Sequence, residues 1–264
     1  MADTNGIYKD IPYVPVNSST FDNQRHVLDV YSPRLKDTLT EVVIFIHGGK
    51  WKMGNKEMFN YVGLNFAEKG KTAVLINYRL SPSVTYDEMA MDCARAVKWV
   101  YSQIEFYGGN KAKLYLYGHS SGGHLASLIS SNPRFFEALE MENPIKGCVL
   151  IDAFGMDMYN FLQKPAPENE WMFDTFTKDE TKWKDASPSQ FVDENTPKFL
   201  LFVGERTHDI IYKDVKKFSK LLEDKGIPAD ITEMNKKKHM LMIGQMIDFR
   251  NEIYEKCITF MSSD

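Results

Sequence analysis

Nothing in this sequence is apolar for long enough to span a bilayer, and its charged residues leave no positive surplus: 32 Lys and Arg stand against 36 Asp and Glu, a formal net charge of −4. The first absence excludes a membrane-crossing helix, which needs about 20 consecutive apolar residues. The second argues against a nucleic-acid or membrane partner, because no excess cation exists to neutralise phosphates. The one basic run, Lys236-Lys237-Lys238, reads as a local solvated stretch. Residues 1–6 have neither the basic start nor the apolar centre of a secretory leader, so a cytoplasmic location is expected, although a leader already removed would leave no trace. Cysteine is scarce too. Cys93, Cys148 and Cys257 are odd in number, widely spaced and set in apolar patterns, which suits buried free thiols rather than disulfides. No pair of histidines has ligand spacing with an added carboxylate, so neither a metal nor another cofactor is expected.

What the sequence does have is enough apolar residue, 43% of 264, for a large core, and a regular alternation of strand and helix patterns. Residues 26–32 alternate in strand fashion and suit an antiparallel N-terminal edge. Continuous apolar runs at 42–46, 72–78, 113–117, 147–152, 198–203 and 229–234 read as strands, and those of a mostly parallel sheet are expected to be buried on both faces. Helices are expected at 57–69, 85–106, 123–129, 213–225 and 243–261. In the second of these, Met89, Cys93, Val97, Val100 and Ile104 recur at helical spacing. The stretch 155–196 breaks the alternation. Its Tyr159, Phe161, Trp171, Phe173, Phe176 and Trp183, set among prolines and charges, suit a small lid whose rings mostly pack it down. No repeat or linker intervenes, so one domain spanning 1–264 is expected.

Two loops carry chemistry. Gly118-His119-Ser120-Ser121-Gly122 sits between the run ending at Tyr117 and a helical stretch, a strand, turn, helix setting in which a serine hydroxyl is pushed out of the fold; Ser120 is the candidate nucleophile. The run Val42-Val43-Ile44-Phe45-Ile46 ends in His47-Gly48-Gly49-Lys50-Trp51. A glycine pair at a strand end presents backbone N–H groups without side-chain obstruction, as a tetrahedral oxyanion requires. The candidate oxyanion donors are Gly48, Gly49 and Lys50, with Ser121 after the nucleophile. Three residues are candidates for touching substrate: Trp51, His119 and Phe154.

These motifs, with Asn77-Tyr78-Arg79-Leu80-Ser81-Pro82, Tyr107-Gly108-Gly109-Asn110 and Gly122-Gly123-His124, resemble those of the α/β-hydrolases. Within that superfamily the chain resembles the hormone-sensitive-lipase-like esterases, the acetylxylan and feruloyl esterase group and the kynurenine formamidases. The resemblance implies an α/β fold: a mostly parallel twisted sheet with helices on both faces and a small lid insertion. Where many lipases have a third glycine, this chain has Lys50 and Trp51, the H-G-G-x-W form of the formamidases and some small esterases. Among the six histidines, His239 lies just beyond the last strand, where such a fold returns a loop to the serine, and is preferred as base over His26, His47, His119, His124 and His208. For the acid that orients it, Asp209 is preferred over Asp152 and Glu205, giving the order Ser120, Asp209, His239. The expected activity is hydrolysis of small or aromatic carboxylic esters through an acyl-enzyme, the partner being a small-molecule ester or amide. N-formylkynurenine hydrolysis is the alternative, and a non-catalytic binding protein of the same fold the third reading.

Overall fold

The computed structural model describes residues 6–34, 38–164 and 166–263, with only the backbone at 168 and 169. Apart from Gly6, the residues on which the leader expectation rests therefore lie outside the described residues. Eight strands form one sheet in the order β1-β2-β4-β3-β5-β6-β7-β8. They are β1 (Ile7–Pro12), β2 (Val27–Tyr31), β3 (Thr40–Ile46), β4 (Thr72–Ile76), β5 (Gly109–His119), β6 (Ile145–Ile151), β7 (Lys198–Gly204) and β8 (Ala229–Met234). Pairings from β4 through β3 to β8 are parallel; β2 runs antiparallel to β4, and β1 antiparallel to β2.

The continuous apolar runs follow from burial on both faces. Val42, Ile44, Ile46, Val74, Leu116 and Leu150 face one core, shared with α2 (Tyr86–Gln103) and α3 (Ser121–Ser131). The alternate residues Val43, Phe45, Leu75, Tyr117, Val149 and Ile151 face the other, which α1 (Asn60–Glu68) closes with a C-terminal helix. A capping box fixes the start of α2: Glu88 accepts the Thr85 N–H at 3.0 Å while the Thr85 side chain meets the third helical residue. Next come α4 (Arg134–Glu137), then α5 (Met158–Leu162), α6 (Phe173–Phe176) and α7 (Glu180–Asp185) within the 155–196 stretch. After it come α8 (Asp209–Asp224), α9 (His239–Gly244) and α10 (Glu252–Ser262).

Three expectations need correction. The antiparallel strand at 26–32 is present but is not the edge, because β1, with Lys9 and Asp10 in its middle and proline at its end, lies outside it. The helix expected from 213 begins at Asp209. The closing helix is broken into α9, a 3₁₀ turn over Gln245–Ile247, and α10, whose Asn251 side chain caps the Ile253 N–H at 3.0 Å.

Candidate active site

Ser120 lies between the end of β5 and the start of α3 at φ 54°, ψ −124°, a backbone conformation that costs a non-glycine residue about 1–3 kcal/mol and projects its side chain outward. Its surroundings force that turn. The Ser120 N–H donates to Ile151 O at 3.1 Å and its carbonyl accepts from the Gly123 N–H at 3.0 Å. A Cβ at Gly122 would lie 2.1 Å from Ile46 O, so only glycine lets α3 start this close to the end of β3.

His239 opens α9, and its ring joins serine to acid. Nε2 is 3.0 Å from Ser120 Oγ and Nδ1 is 2.8 Å from Asp152 Oδ2. Asp152 is fully buried immediately after β6. Its Oδ1 accepts the Gly204 N–H at 2.8 Å, and its Oδ2 also accepts the Thr207 hydroxyl. A carboxylate held this way can only accept from Nδ1, which leaves the Nε2 lone pair facing Ser120 Oγ. The expectation of Asp209 is thus not met. Asp209 is exposed at the first turn of α8, where its charge suits the helix N-terminus, and the end of β7 with the loop after it instead supplies the donors that hold Asp152, the Gly204 N–H and the Thr207 hydroxyl. Glu205 accepts the Lys236 N–H and is exposed.

The His47 to Trp51 loop passes directly beside the serine. A Cβ on Gly48 would meet Ser120 Cβ at 3.1 Å and His119 O at 2.7 Å; Gly49, at φ +140°, has Met53 O where a Cβ would be, 2.0 Å away. Among the described residues, the N–H groups of Gly48, Gly49, Lys50 and Ser121 donate to no protein acceptor. Tyr78 holds this loop through its hydroxyl, which donates to His47 O at 2.8 Å, while the Ser81 N–H donates to Trp51 O at 2.9 Å and Asn77 Oδ1 accepts the Lys56 N–H at 2.7 Å. The Asn77-Tyr78-Arg79 motif, quoted above without a role, is therefore the brace of the glycine loop. Arg79 in turn makes a bidentate pair with buried Asp92, at 2.8 and 2.9 Å.

Two substrate-contact expectations are displaced. Trp51 is 2% exposed; its Nε1–H donates to His124 Nδ1 at 3.2 Å, and its ring meets His124 and Phe176 edge-on. His124 must then carry its proton on Nε2, which donates to Ala186 O at 2.7 Å, and burial pulls its pKa down to about 4. His119 is 3% exposed and stacks on the His239 ring with centroids 4.9 Å apart. Burial, then the neighbouring His239, lowers its pKa to about 3, so it stays neutral behind the His239 ring. Phe154 is half-buried, its N–H 3.4 Å from Ser120 O, and it lines a cavity together with Phe161 and with Ile210 of α8. Of the seven rings in the 155–196 stretch, Phe176 and Trp183 are buried and the other five, Phe191 included, pack partly buried against the core. Thr207 gave no sequence signal.

Among the described residues, no helix is long and apolar enough to cross a membrane. An isoprenylcysteine alpha-carbonyl methylesterase of Arabidopsis thaliana is 27% identical over 237 residues, 83% of this chain and 54% of the relative; the chain thus spans about half the plant protein's length. A kynurenine formamidase of Danio rerio is 26% identical over 226 residues, 84% of this chain and 73% of the relative. Esterase B of Lactobacillus rhamnosis superposes with a TM-score of 0.80 at 19% identity, covering 97% of this chain and 85% of that one, a likeness of fold. The BD-FAE family profile matches residues 28–222, well over half of the sequence, with both glycine motifs, Ser120 and Asp152 inside it; the chain belongs to the BD-FAE family, within the α/β-hydrolases.

Proposed function

We propose that the protein is a serine hydrolase of small carboxylic esters, acting through Ser120, His239 and Asp152. The observation that carries this reading is the hydrogen-bonded relay from Ser120 Oγ through His239 to a buried, fully engaged carboxylate. In the reaction, Ser120 Oγ attacks the ester carbonyl carbon and its proton passes to His239 Nε2, while Asp152 stabilises the imidazolium. In this reading the N–H groups of Gly48, Gly49, Lys50 and Ser121, which donate to no protein acceptor among the described residues, receive the oxyanion. The tetrahedral species collapses, the alkoxide takes the proton from His239, and the acyl group stays on Ser120. Water then repeats the sequence, its proton going to His239 and on to Ser120 as the acid leaves.

The relatives support ester chemistry, since one carries the name of a methylesterase. The formamidase relative keeps an aryl formamide in the test set, although the burial of Trp51 removes the aromatic wall on which that reading leaned. The purified protein should hydrolyse at least one of 4-nitrophenyl acetate, butyrate and octanoate, a feruloyl ester or N-formylkynurenine, and take one fluorophosphonate label. Ser120→Ala should abolish both, leaving at most about a thousandfold acceleration over water. A label that persists on the alanine variant overturns Ser120 as nucleophile, and a wild type that neither labels nor turns over points to the non-catalytic reading.

A further inference from the structure

α8 carries two stripes. Ile211, Val215, Phe218 and Leu222 are buried in the core, as an amphipathic helix requires. Ile210, Lys213, Asp214 and Lys217, at positions i, i+3, i+4 and i+7, form a second stripe that lines a cavity of about 340 Å³. Phe154 and Phe161 complete its apolar wall, their rings 5.1 Å apart and edge-on.

Two residues of its lining lead back to the candidate catalytic groups. Phe154 touches the Ser120 carbonyl through its N–H, and Ile210 follows His208 by two residues, whose ring centroid is 5.7 Å from that of His239. Its volume is in the range that holds a small organic group.

The charges in it are unevenly satisfied. Asp214 Oδ2 accepts the N–H groups of Gly155 and Met156 at 2.7 and 2.9 Å, and Asp157 pairs with Lys217 while capping the Asn160 N–H. Burial pushes the Asp214 carboxyl up to about 6, weakening its negative field as the pH falls towards that value. Lys213 and Lys164 also line the cavity, and among the described residues neither has an ion-pair partner. Around the cavity Lys164, Lys213 and Lys217 stand against Asp157 and Asp214, an excess of one cation, with Asp157 paired to Lys217 and Lys213 exposed at the rim.

We propose that this cavity binds the part of the substrate remote from the scissile bond, and that the part it selects is an apolar chain or ring ending in a carboxylate, read by Lys213. The inference rests on the ester-hydrolase reading and names its substrate class: esters that carry a second, free acid group.

The test compares each carboxylate with its own methyl ester, so that chain, ring and reacting bond are the same. Mono-4-nitrophenyl suberate and its methyl ester place the charge on the acyl side; 4-acetoxybenzoate and its methyl ester place it on the alcohol side. In the wild type, kcat/KM for the carboxylate should exceed that for the methyl ester about threefold to tenfold in at least one pair, chiefly through KM, and the ratio should shrink between 50 and 500 mM salt. Lys213→Met should bring the ratio to about one or below, and Lys213→Glu should invert it, with fluorophosphonate labelling of both variants confirming a folded site. No preference in either pair, or a preference that survives Lys213→Glu, overturns the inference and leaves the hydrolase reading standing. Failure to hydrolyse every one of these esters, with no fluorophosphonate label, overturns the hydrolase reading itself and this inference with it.

Discussion

Asp152→Asn separates a base correctly oriented from one merely present. Asp152 Oδ1 accepts the Gly204 N–H, and its Oδ2 accepts both the Thr207 hydroxyl and the His239 Nδ1–H. An asparagine must keep its oxygen toward the Gly204 N–H, because turning the amide would set two buried N–H donors against each other at a cost of about 1–3 kcal/mol. Its NH₂ then faces His239, Nδ1 becomes an acceptor, and the ring proton moves to Nε2, where it faces Ser120 Oγ in place of the lone pair that a base requires. Geometry survives while the general base is lost, so kcat should fall about ten-thousandfold with KM nearly unchanged, roughly 5 kcal/mol of transition-state stabilisation at about 1.4 kcal/mol per decade. Asp209→Asn, at an exposed helix start, should leave kcat within about twofold. Steady-state kinetics on 4-nitrophenyl butyrate, with urea unfolding to confirm that both variants are folded, decides the matter. An Asp152→Asn enzyme that keeps a tenth of wild-type kcat, or an Asp209→Asn enzyme that loses a thousandfold, would refute the assignment.

Two further outcomes follow from the buried histidines and the loop they brace. Trp51→Phe removes the donor to His124 Nδ1 and loosens the glycine loop from behind, so kcat/KM should drop by a similar factor, about tenfold, for acetate, feruloyl and formylkynurenine substrates; a loss confined to aryl substrates would mean that the ring lines the pocket. His47, His119 and His124 have native pKa values of about 4, 3 and 4, held below the usual 6.5 by burial, so below pH 6.5 the unfolded chain binds protons that the native one refuses. Stability is therefore full above pH 6.5 and falls as the pH drops toward 4, each ring losing roughly 2 kcal/mol by pH 5. Urea midpoints at pH 7.5, 6.5 and 5 test this, and a flat profile would contradict it.

The sheet was legible because its strands are buried on both faces and so spell themselves out as unbroken apolar runs: Val42 to Ile46, Thr72 to Ile76 and Leu114 to Tyr117 need no period to be recognised. β1 had no such signature. Its burial comes from one neighbour only, leaving Lys9 and Asp10 exposed at its centre, and Asp10 even adopts positive φ. The break in the closing helix is local and leaves no mark on an apolar period: the backbone turns extended at Asp248, φ −77°, ψ 111°, and Asn251 caps a new start.

The acid and the tryptophan mark where sequence adjacency stopped being a guide to position. Asp152 and Asp209 both follow strands, and both satisfy the order serine, acid, histidine. What separates them is lateral: β6 lies next to β5, so a residue at its end stands one strand spacing, about 5 Å, from the strand that leads into Ser120, whereas the end of β7 stands about 10 Å away. Strand order is a property of the whole sheet and is written in no single motif. From the nearer strand Asp152 reaches His239 directly, and β7 contributes the Gly204 N–H that holds it. Trp51 failed as a pocket residue for a more local reason. Lys50 and Trp51 both adopt positive φ, 54° and 58°, a backbone path that the motif does not announce, and the ring packs behind the glycine loop against His124 and Phe176. A motif can thus identify which side chains take part in a site while leaving undecided which face of it each one occupies; that is fixed by the two backbone angles and the neighbouring strand, and both had to be read from the folded chain.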